Sequence, residues 1–183
     1  MGENGLERKD RLSELDPERT LGRIGLVSGS VFCDIGAGTG VFALPAAALT
    51  QARVYALEVS QDKLDGIAHR AAAEKLDGIM PLLIEDNVYP LESSIVDVAL
   101  MCCVMHEIPE PGRTHALGEI MRILKPGGQF AVIEFNEVMG TFGPPAHERV
   151  PRADLIAYCE RAGFTADRDF DLSEHFYCAV LTR

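Results

Sequence analysis

The stretch VFCDIGAGTGVF, Val31–Phe42, sets three glycines (Gly36, Gly38 and Gly40) within five residues and between two apolar runs. Glycine loses more backbone freedom on folding than any other residue, so such a cluster needs a reason. An apolar run that feeds a glycine-rich turn and then a second apolar run reads as strand, turn and helix. In an open α/β sheet, ligands bind beyond the carboxyl ends of the strands, where the strand order reverses. A turn at that place is expected to bring its backbone close to a ligand, with side chains removed to admit it. Asp34, two residues ahead of the first glycine, stands at the end of the strand.

Outward from this turn, apolar runs alternate with helical patterns. After VFCDI come the runs VYALEV, IMPLLI, SIVDVALMCC and GGQFAVIEF, then FTADRDFDL and HFYCAVLT, which makes seven expected strands. Between them, QDKLDGIAHRAAAEKL follows Ser60 as N-cap and sets Leu64, Ile67, Ala68 and Ala71 on one face. RTHALGEIMRIL and RADLIAYCERAG read as further helices, the latter ended by Gly163. DPERTLGRIGL opens with Asp16 as cap and Pro17 in the first turn. Strands that are apolar throughout and alternate with helices indicate a mostly parallel sheet covered on both faces. The last two lie too close for a helical crossover and are expected to pair antiparallel. The reading is α/β, one domain over residues 16–183, with residues 1–15 as a flexible terminus.

The chain has 183 residues and a formal charge of −11, from 17 basic and 28 acidic side chains. Nothing in it is a basic run able to neutralise a line of phosphates, which excludes nucleic acid as a partner and disfavours stable association with anionic membranes. The polar start MGENGLERKD and the lack of an apolar run of about 20 residues lead to a cytoplasmic expectation. The five cysteines are odd in number and form no CxxC pair, so no disulfide framework is expected. Cys102 and Cys103 are adjacent, but neighbouring strand residues point to opposite faces. They are therefore read as core residues, and no metal site is expected.

DIGAGTG, Asp34 to Gly40, resembles the first motif D/E-x-G-x-G-x-G of the class I S-adenosylmethionine-dependent methyltransferases. The dinucleotide fingerprint G-x-G-x-x-G fails at its third glycine, where Val41 stands. The resemblance implies a doubly wound, Rossmann-like sheet with the last strand antiparallel, and S-adenosylmethionine as cofactor. It implies that Gly36, Ala37, Gly38 and Gly40 pass beneath the methionine moiety, with Asp34 bonding loop amides or the cofactor's ammonium. Glu58, ending VYALEV, is expected to accept from both ribose hydroxyls, with Val59 beside it. In LIEDNVYPL, either Glu85 or Asp86 is expected to bond the adenine amino group, with Asn87 adjoining. Cys102 adds a further cofactor-side position.

The segment LMCCVMHEIPEP resembles the family's strand-to-helix passage, and KPGG, Lys125–Gly128, its tight turn into the fifth strand. There His106 is either a general base, as a neutral imidazole can be near physiological pH, or a packing residue, with Glu107 beside it. The chain is similar to the ubiquinone/menaquinone C-methyltransferases, including the loop FGPPAHERVPRADLIAYCERAGF. That loop is expected to line the substrate side, where Glu134, Glu137, His147, Glu148 and Arg149 are the polar groups. The implied activity is methyl transfer to a small-molecule acceptor by in-line displacement, with a homodimer left open. A nicotinamide-dependent reductase and a catalytically silent cofactor-binding module are the alternatives.

Overall fold

The structure, a computed structural model, describes residues 12–137 and 143–183. The expected flexible tail up to residue 11, and Gly140 of the long loop, lie outside the described residues. Residues 12–15, which the sequence reading left in that tail, are helical. Their anchor is physical: Leu15 is 3% exposed, and the Glu14 carboxylate accepts from Ser173 Oγ at 2.7 Å and meets His175 Nδ1 at 2.8 Å.

Helix α1 (Pro17–Arg23) starts as expected, with Pro17 in its first turn and the Asp16 carboxylate accepting from the Arg19 amide. Then follow β1 (Phe32–Ile35), α2 (Ala43–Thr50), β2 (Val54–Glu58), α3 (Gln61–Glu74), β3 (Ile79–Leu83) and β4 (Val96–Cys102). The chain closes with α4 (Gly112–Ile123), β5 (Leu124–Phe135), α5 (Arg152–Arg161), β6 (Thr165–Asp171) and β7 (Phe176–Thr182). Helix α3 departs from the sequence reading in two details. Ser60 stands at its N-cap, but its side chain makes no capping bond, and Ala68 is exposed beside buried Leu64, Ile67 and Ala71.

The seven strands lie in the order β3-β2-β1-β4-β5-β7-β6. β1 to β5 are parallel, and β7 inserts antiparallel between β5 and β6. Alternate residues feed two cores. Phe32, Ala56, Leu100 and Ile133 pack with Leu21 of α1, Ala46 of α2 and Ile67 of α3 on one face. Cys33, Met101, Val132 and Tyr177 pack with Leu117 and Ile120 of α4 and Leu155 of α5 on the other. The sheet is thus covered on both sides, as its continuous apolar strands require. Edge strand β6 is polar and almost wholly exposed, a composition that resists pairing with other chains.

The KPGG turn is architectural. Lys125 Nζ donates to Asp97 Oδ1 at 2.7 Å while the Val31 amide donates to Asp97 Oδ2 at 2.8 Å. One carboxylate of β4 therefore ties the residue ahead of β1 to the start of β5, where Lys125–Gly128 interrupt the pairing between Val96–Leu124 and Val98–Gln129. Strand order reverses between β1 and β4, which puts the crevice at their carboxyl ends.

Candidate active site

A cleft of about 640 Å³ opens at that reversal. Its floor is Asp34, at 2% exposure. The Ala43 amide at the start of α2 bonds its carboxylate, yet Oδ2 has no hydrogen-bond partner among the described residues. Burial, with the nearby Glu58 charge adding to it against the pull of the Ala43 bond, raises this acid from 3.8 to about 7. A buried carboxylate oxygen left unsatisfied costs free energy unless something meets it.

The three glycines divide their work. A Cβ on Gly36 would stand 2.4 Å from Val104 Cγ2, and one on Gly40 would stand 3.1 Å from Ile67 Cγ1 and 3.2 Å from Leu44 Cδ1. Both make room for protein side chains; Gly36 still lines the cleft, whereas Gly40 is absent from its wall. Gly38 differs: at φ +55° its Cβ would meet nothing nearer than the Gly36 carbonyl oxygen at 3.9 Å, and it lines the cleft. Of the three positions expected to approach a ligand, Gly36 and Gly38 border the cleft and Gly40 does not.

Glu58 is 4% exposed at the end of β2. Its Oε2 accepts from the Gly38 amide at 2.8 Å, and its Oε1 from the amides of Val59 at 2.9 Å and Ser60 at 3.3 Å. Lys63 Nζ lies 3.5 Å from Oε2. Glu58 thus holds the glycine turn and the two residues that lead into α3, while the amides of the first turn of α3 receive no side-chain cap among the described residues. Val59, 72% exposed, and Ala37 offer apolar surface on the cleft wall.

Glu85 and Asp86 do not fit the position expected for them. Both are exposed and absent from the cleft wall, whereas Asn87 lines it. The cause is a tight turn in which Asp86 and Asn87 both take positive φ, 51° and 60°, and the Val88 amide returns to the Glu85 carbonyl at 2.9 Å. His115 Nε2 meets the Asn87 carbonyl oxygen at 3.0 Å and helps fix that turn. Sequence reasoning missed Leu12, Leu15, Lys63, Ile84 and Tyr89, which also line the cleft. Only Lys63 carried a usable signal, being one turn into the helix that follows Glu58.

Beyond β4 a 3-10 turn, Met105–Glu107, presents His106. The imidazole Nδ1 stands 2.8 Å from Glu134 Oε2, and the His106 amide donates to Glu134 Oε1 at 3.2 Å. Glu134 is 0% exposed on β5, so it lies beneath His106 and is not a substrate-side surface group. Phe135 meets the imidazole edge-on, with ring centroids 5.6 Å apart. Arg113 was not foreseen: its Nε donates to the Met105 and Ile108 carbonyls at 3.1 and 2.6 Å and clasps the turn from α4.

His106 lines a second groove of about 600 Å³ with Arg113, His147, Glu148, Asp154 and Tyr158. Glu107 lines both this groove and the cleft. Arg149 borders the groove too, but it is nearly buried, donating to the Pro144 carbonyl at 3.0 Å and the Asn136 carbonyl at 2.6 Å. It acts as a strut for its loop. His147 and Glu148 are exposed there, and Glu137 is exposed outside both cavities.

The vicinal cysteines pack in the core as expected, Cys103 buried and Cys102 against the same cluster, but they do not point to opposite faces. Cys103 is the first residue past β4 and takes φ +56°, so the alternation of an extended strand stops at Cys102. The two sulfurs lie 3.8 Å apart, and both residues line the cleft.

Residues 32–128, more than half of the chain, match the family described as "Methyltransferase domain". The chain belongs to this family. This methyltransferase-domain protein is 31% identical over 138 residues to the ubiquinone/menaquinone biosynthesis C-methyltransferase UbiE of Syntrophotalea carbinolica, covering 73% of the chain and 53% of that relative. It spans about half the length of the curated relatives it matches. Its fold is shared by an S-adenosylmethionine-dependent methyltransferase from Aquifex aeolicus, with a TM-score of 0.88, 24% identity and coverage of 100% of this chain and 99% of that one. It is shared as well by geranyl diphosphate C-methyltransferase from Streptomyces coelicolor, crystallised with Mg2+, geranyl diphosphate and S-adenosyl-L-homocysteine. There the TM-score is 0.77, with 16% identity and coverage of 95% and 81%.

S-adenosylmethionine, the cofactor implied for this class, suits the methyltransferase-domain cleft on its own chemistry. The unpartnered Asp34 oxygen calls for a cation or donor, such as an ammonium. The open side of Gly38 admits a close ligand, and the Glu58 carboxylate at the cleft wall can accept from hydroxyls.

Proposed function

We propose that the chain transfers a methyl group from S-adenosylmethionine to a small-molecule acceptor. The observation that carries the cofactor reading is the buried, unsatisfied Asp34 oxygen on the floor of the cleft. When bound, S-adenosylmethionine supplies a methyl carbon already activated by its sulfonium. Asp34 would hold the ammonium, Gly38 and Ala37 the adjoining backbone approach, and Glu58 the ribose hydroxyls. Val59, Asn87 and Cys102 would flank the remainder.

The chain's own residues then have two tasks. The first is alignment: an acceptor held about 3–3.5 Å from the reacting carbon gains roughly 7–11 kcal/mol from orientation alone. The groove that shares Glu107 with the cleft is where we seat the acceptor. The second is proton removal, at the His106 imidazole. Glu134 receives the Nδ1 proton in a hydrogen bond, which fixes the tautomer and directs basicity to Nε2. A base so placed contributes about 10²–10⁴-fold. His106 is the catalytic residue of this reading; Glu134 and Arg113 position it.

A net charge of −11 favours a neutral or cationic acceptor over a polyanion. The groove wall itself carries both signs, Glu107, Glu148 and Asp154 beside Arg113 and Arg149. The test has two stages. Thermal shift with S-adenosylhomocysteine, S-adenosylmethionine, NADH and NADPH is expected to show stabilisation by the first two only, and the reverse pattern would return the reductase reading. Incubation with labelled methyl donor and small-molecule extracts is expected to label an extract component. Binding without any transfer would favour a silent module.

A further inference from the structure

The geometry points to a second ligand of the cleft: Cys102 and Cys103 form a dithiolate site for a thiophilic divalent cation of the zinc group. Two thiolates on one tetrahedral ion, each with a metal–sulfur bond of about 2.3 Å, stand about 3.8 Å apart. The two sulfurs are separated by 3.8 Å. That spacing comes from the backbone. Cys102 closes β4, pairing with Ile133, and Cys103 turns left-handed at φ +56° while its amide still donates to the Ile133 carbonyl at 2.8 Å. The sulfurs are thereby brought to one side, on the wall of the cleft.

Direct closure to a disulfide is the less favourable outcome for such a pair. Consecutive Cα atoms are about 3.8 Å apart, below the range of about 4.4–6.8 Å in which disulfides form without backbone movement. An ion inserted between the sulfurs requires no such movement. Binding makes two sulfur–metal bonds and passes the two thiol protons to solvent, with no change of oxidation state. Among the described residues no third His, Cys or carboxylate joins the pair. The remaining coordination positions are for water or a donor on a bound small molecule, so the site is an open one. The other three thiols, Cys33, Cys159 and Cys178, are fully buried in the two cores. A soft ion in solution therefore meets the vicinal pair first.

The site itself is independent of the methyl-transfer reading; one consequence rests on it, namely that the ion and S-adenosylhomocysteine exclude each other. Cadmium serves as the probe, titrated into the reduced full chain while the ultraviolet thiolate-to-cadmium charge-transfer band is followed. One equivalent is expected to saturate the band. Cys102→Ser and Cys103→Ser are each expected to lose it, and Cys159→Ser to keep it. Should Cys103→Ser not fold, Cys102→Ser at the half-buried position decides alone. No band, a band retained in Cys102→Ser, or a mass lower by two hydrogens with no bound metal would each overturn the site. Loss of the band on adding S-adenosylhomocysteine is the expected competition. A chain that binds cadmium but not S-adenosylhomocysteine keeps the metal site and removes the methyl-transfer reading. A chain that binds S-adenosylhomocysteine alone does the opposite.

Discussion

The His106 imidazole nitrogen Nδ1 lies 2.8 Å from Oε2 of Glu134, a carboxylate with no solvent exposure. The contact gives His106 a packing partner and supports the base role proposed for it, two roles that the sequence presented as alternatives. A packing histidine and a general base are the same residue when a buried acid beneath the ring both needs a donor and orients one. Glu107, its chain neighbour, points instead toward solvent and the cavities. Glu134→Gln keeps the volume and changes the tautomer the ring prefers. It is expected to lower kcat by about 10²-fold or more, with little change in Kd for S-adenosylhomocysteine. His106→Ala should lower both kcat and Tm, because it leaves the Glu134 carboxylate short of one donor at a cost of roughly 1–3 kcal/mol. Full turnover in Glu134→Gln would assign the pair to packing alone.

The glycine turn predicts a contrast between neighbours. Gly38→Val places its side chain in open cleft space and is expected to abolish S-adenosylhomocysteine binding, with a lowered Tm from the strain of a β-branched residue at φ +55°. Gly40→Val must displace Ile67 and Leu44, and overpacking of this kind costs about 1–3 kcal/mol. Its expected signature is a lowered Tm with ligand affinity retained in the folded fraction, since Gly40 is absent from the cleft wall. Calorimetry and thermal melting of the two variants side by side read this difference, and equal affinity in Gly38→Val and the parent chain would remove the ligand from the turn.

The fold was legible because its signals are periodic and local. Strands β1, β2, β4 and β5 and the antiparallel final pair stand as expected, since each depends on a few adjacent residues, while KPGG falls inside β5 as an irregularity rather than ahead of it. The site was legible wherever a strand end fixed the direction of a side chain, as at Asp34 and Glu58. It became illegible where the backbone turns left-handed. Positive φ at Asp86, Asn87 and Cys103 redirects side chains by amounts that strand alternation does not contain. Hence Asn87 rather than Glu85 or Asp86 reached the cleft, and the two cysteines came together. Partners distant in sequence were the other gap. Glu134 is 28 residues from His106, and Leu12 reaches the cleft from a segment read as a polar tail.

Glu58 carries a double load, so its removal has two expected readouts. Glu58→Ala loses the acceptor for ribose hydroxyls and is expected to weaken S-adenosylhomocysteine by about 1.5–3 kcal/mol, the range for hydrogen bonds to a charged group. It also strips the acceptors from the Gly38, Val59 and Ser60 amides, so the ligand-free Tm should fall as well. A variant with lowered Tm and unchanged affinity would make Glu58 a turn-holding residue only.

Asp34 links the cofactor to pH, and the sign follows from its environment. Burial foremost, with the Glu58 charge in support and the Ala43 amide opposing, raises its pKa from 3.8 to about 7 in the ligand-free chain. The folded state thus holds this proton more tightly than the unfolded state does. Its contribution favours the fold below about pH 4 and is lost as pH rises through about 7. An ammonium against Oδ2 reverses the preference, since an adjacent cation stabilises the ionised acid. Binding S-adenosylhomocysteine below pH 7 must then expel the proton, and Kd is expected to fall as pH rises, approaching about tenfold per unit below pH 7 and levelling above it. Asp34→Asn removes the titrating group. That variant should bind weakly with no pH dependence in this range, and its ligand-free Tm near pH 8 should exceed that of the parent, because a buried carboxylate oxygen without a partner is gone. Calorimetric titrations at about pH 6, 7 and 8 read the slope. A parent-chain Kd that is flat across that range would detach Asp34 from the ammonium and leave its buried oxygen to some neutral donor.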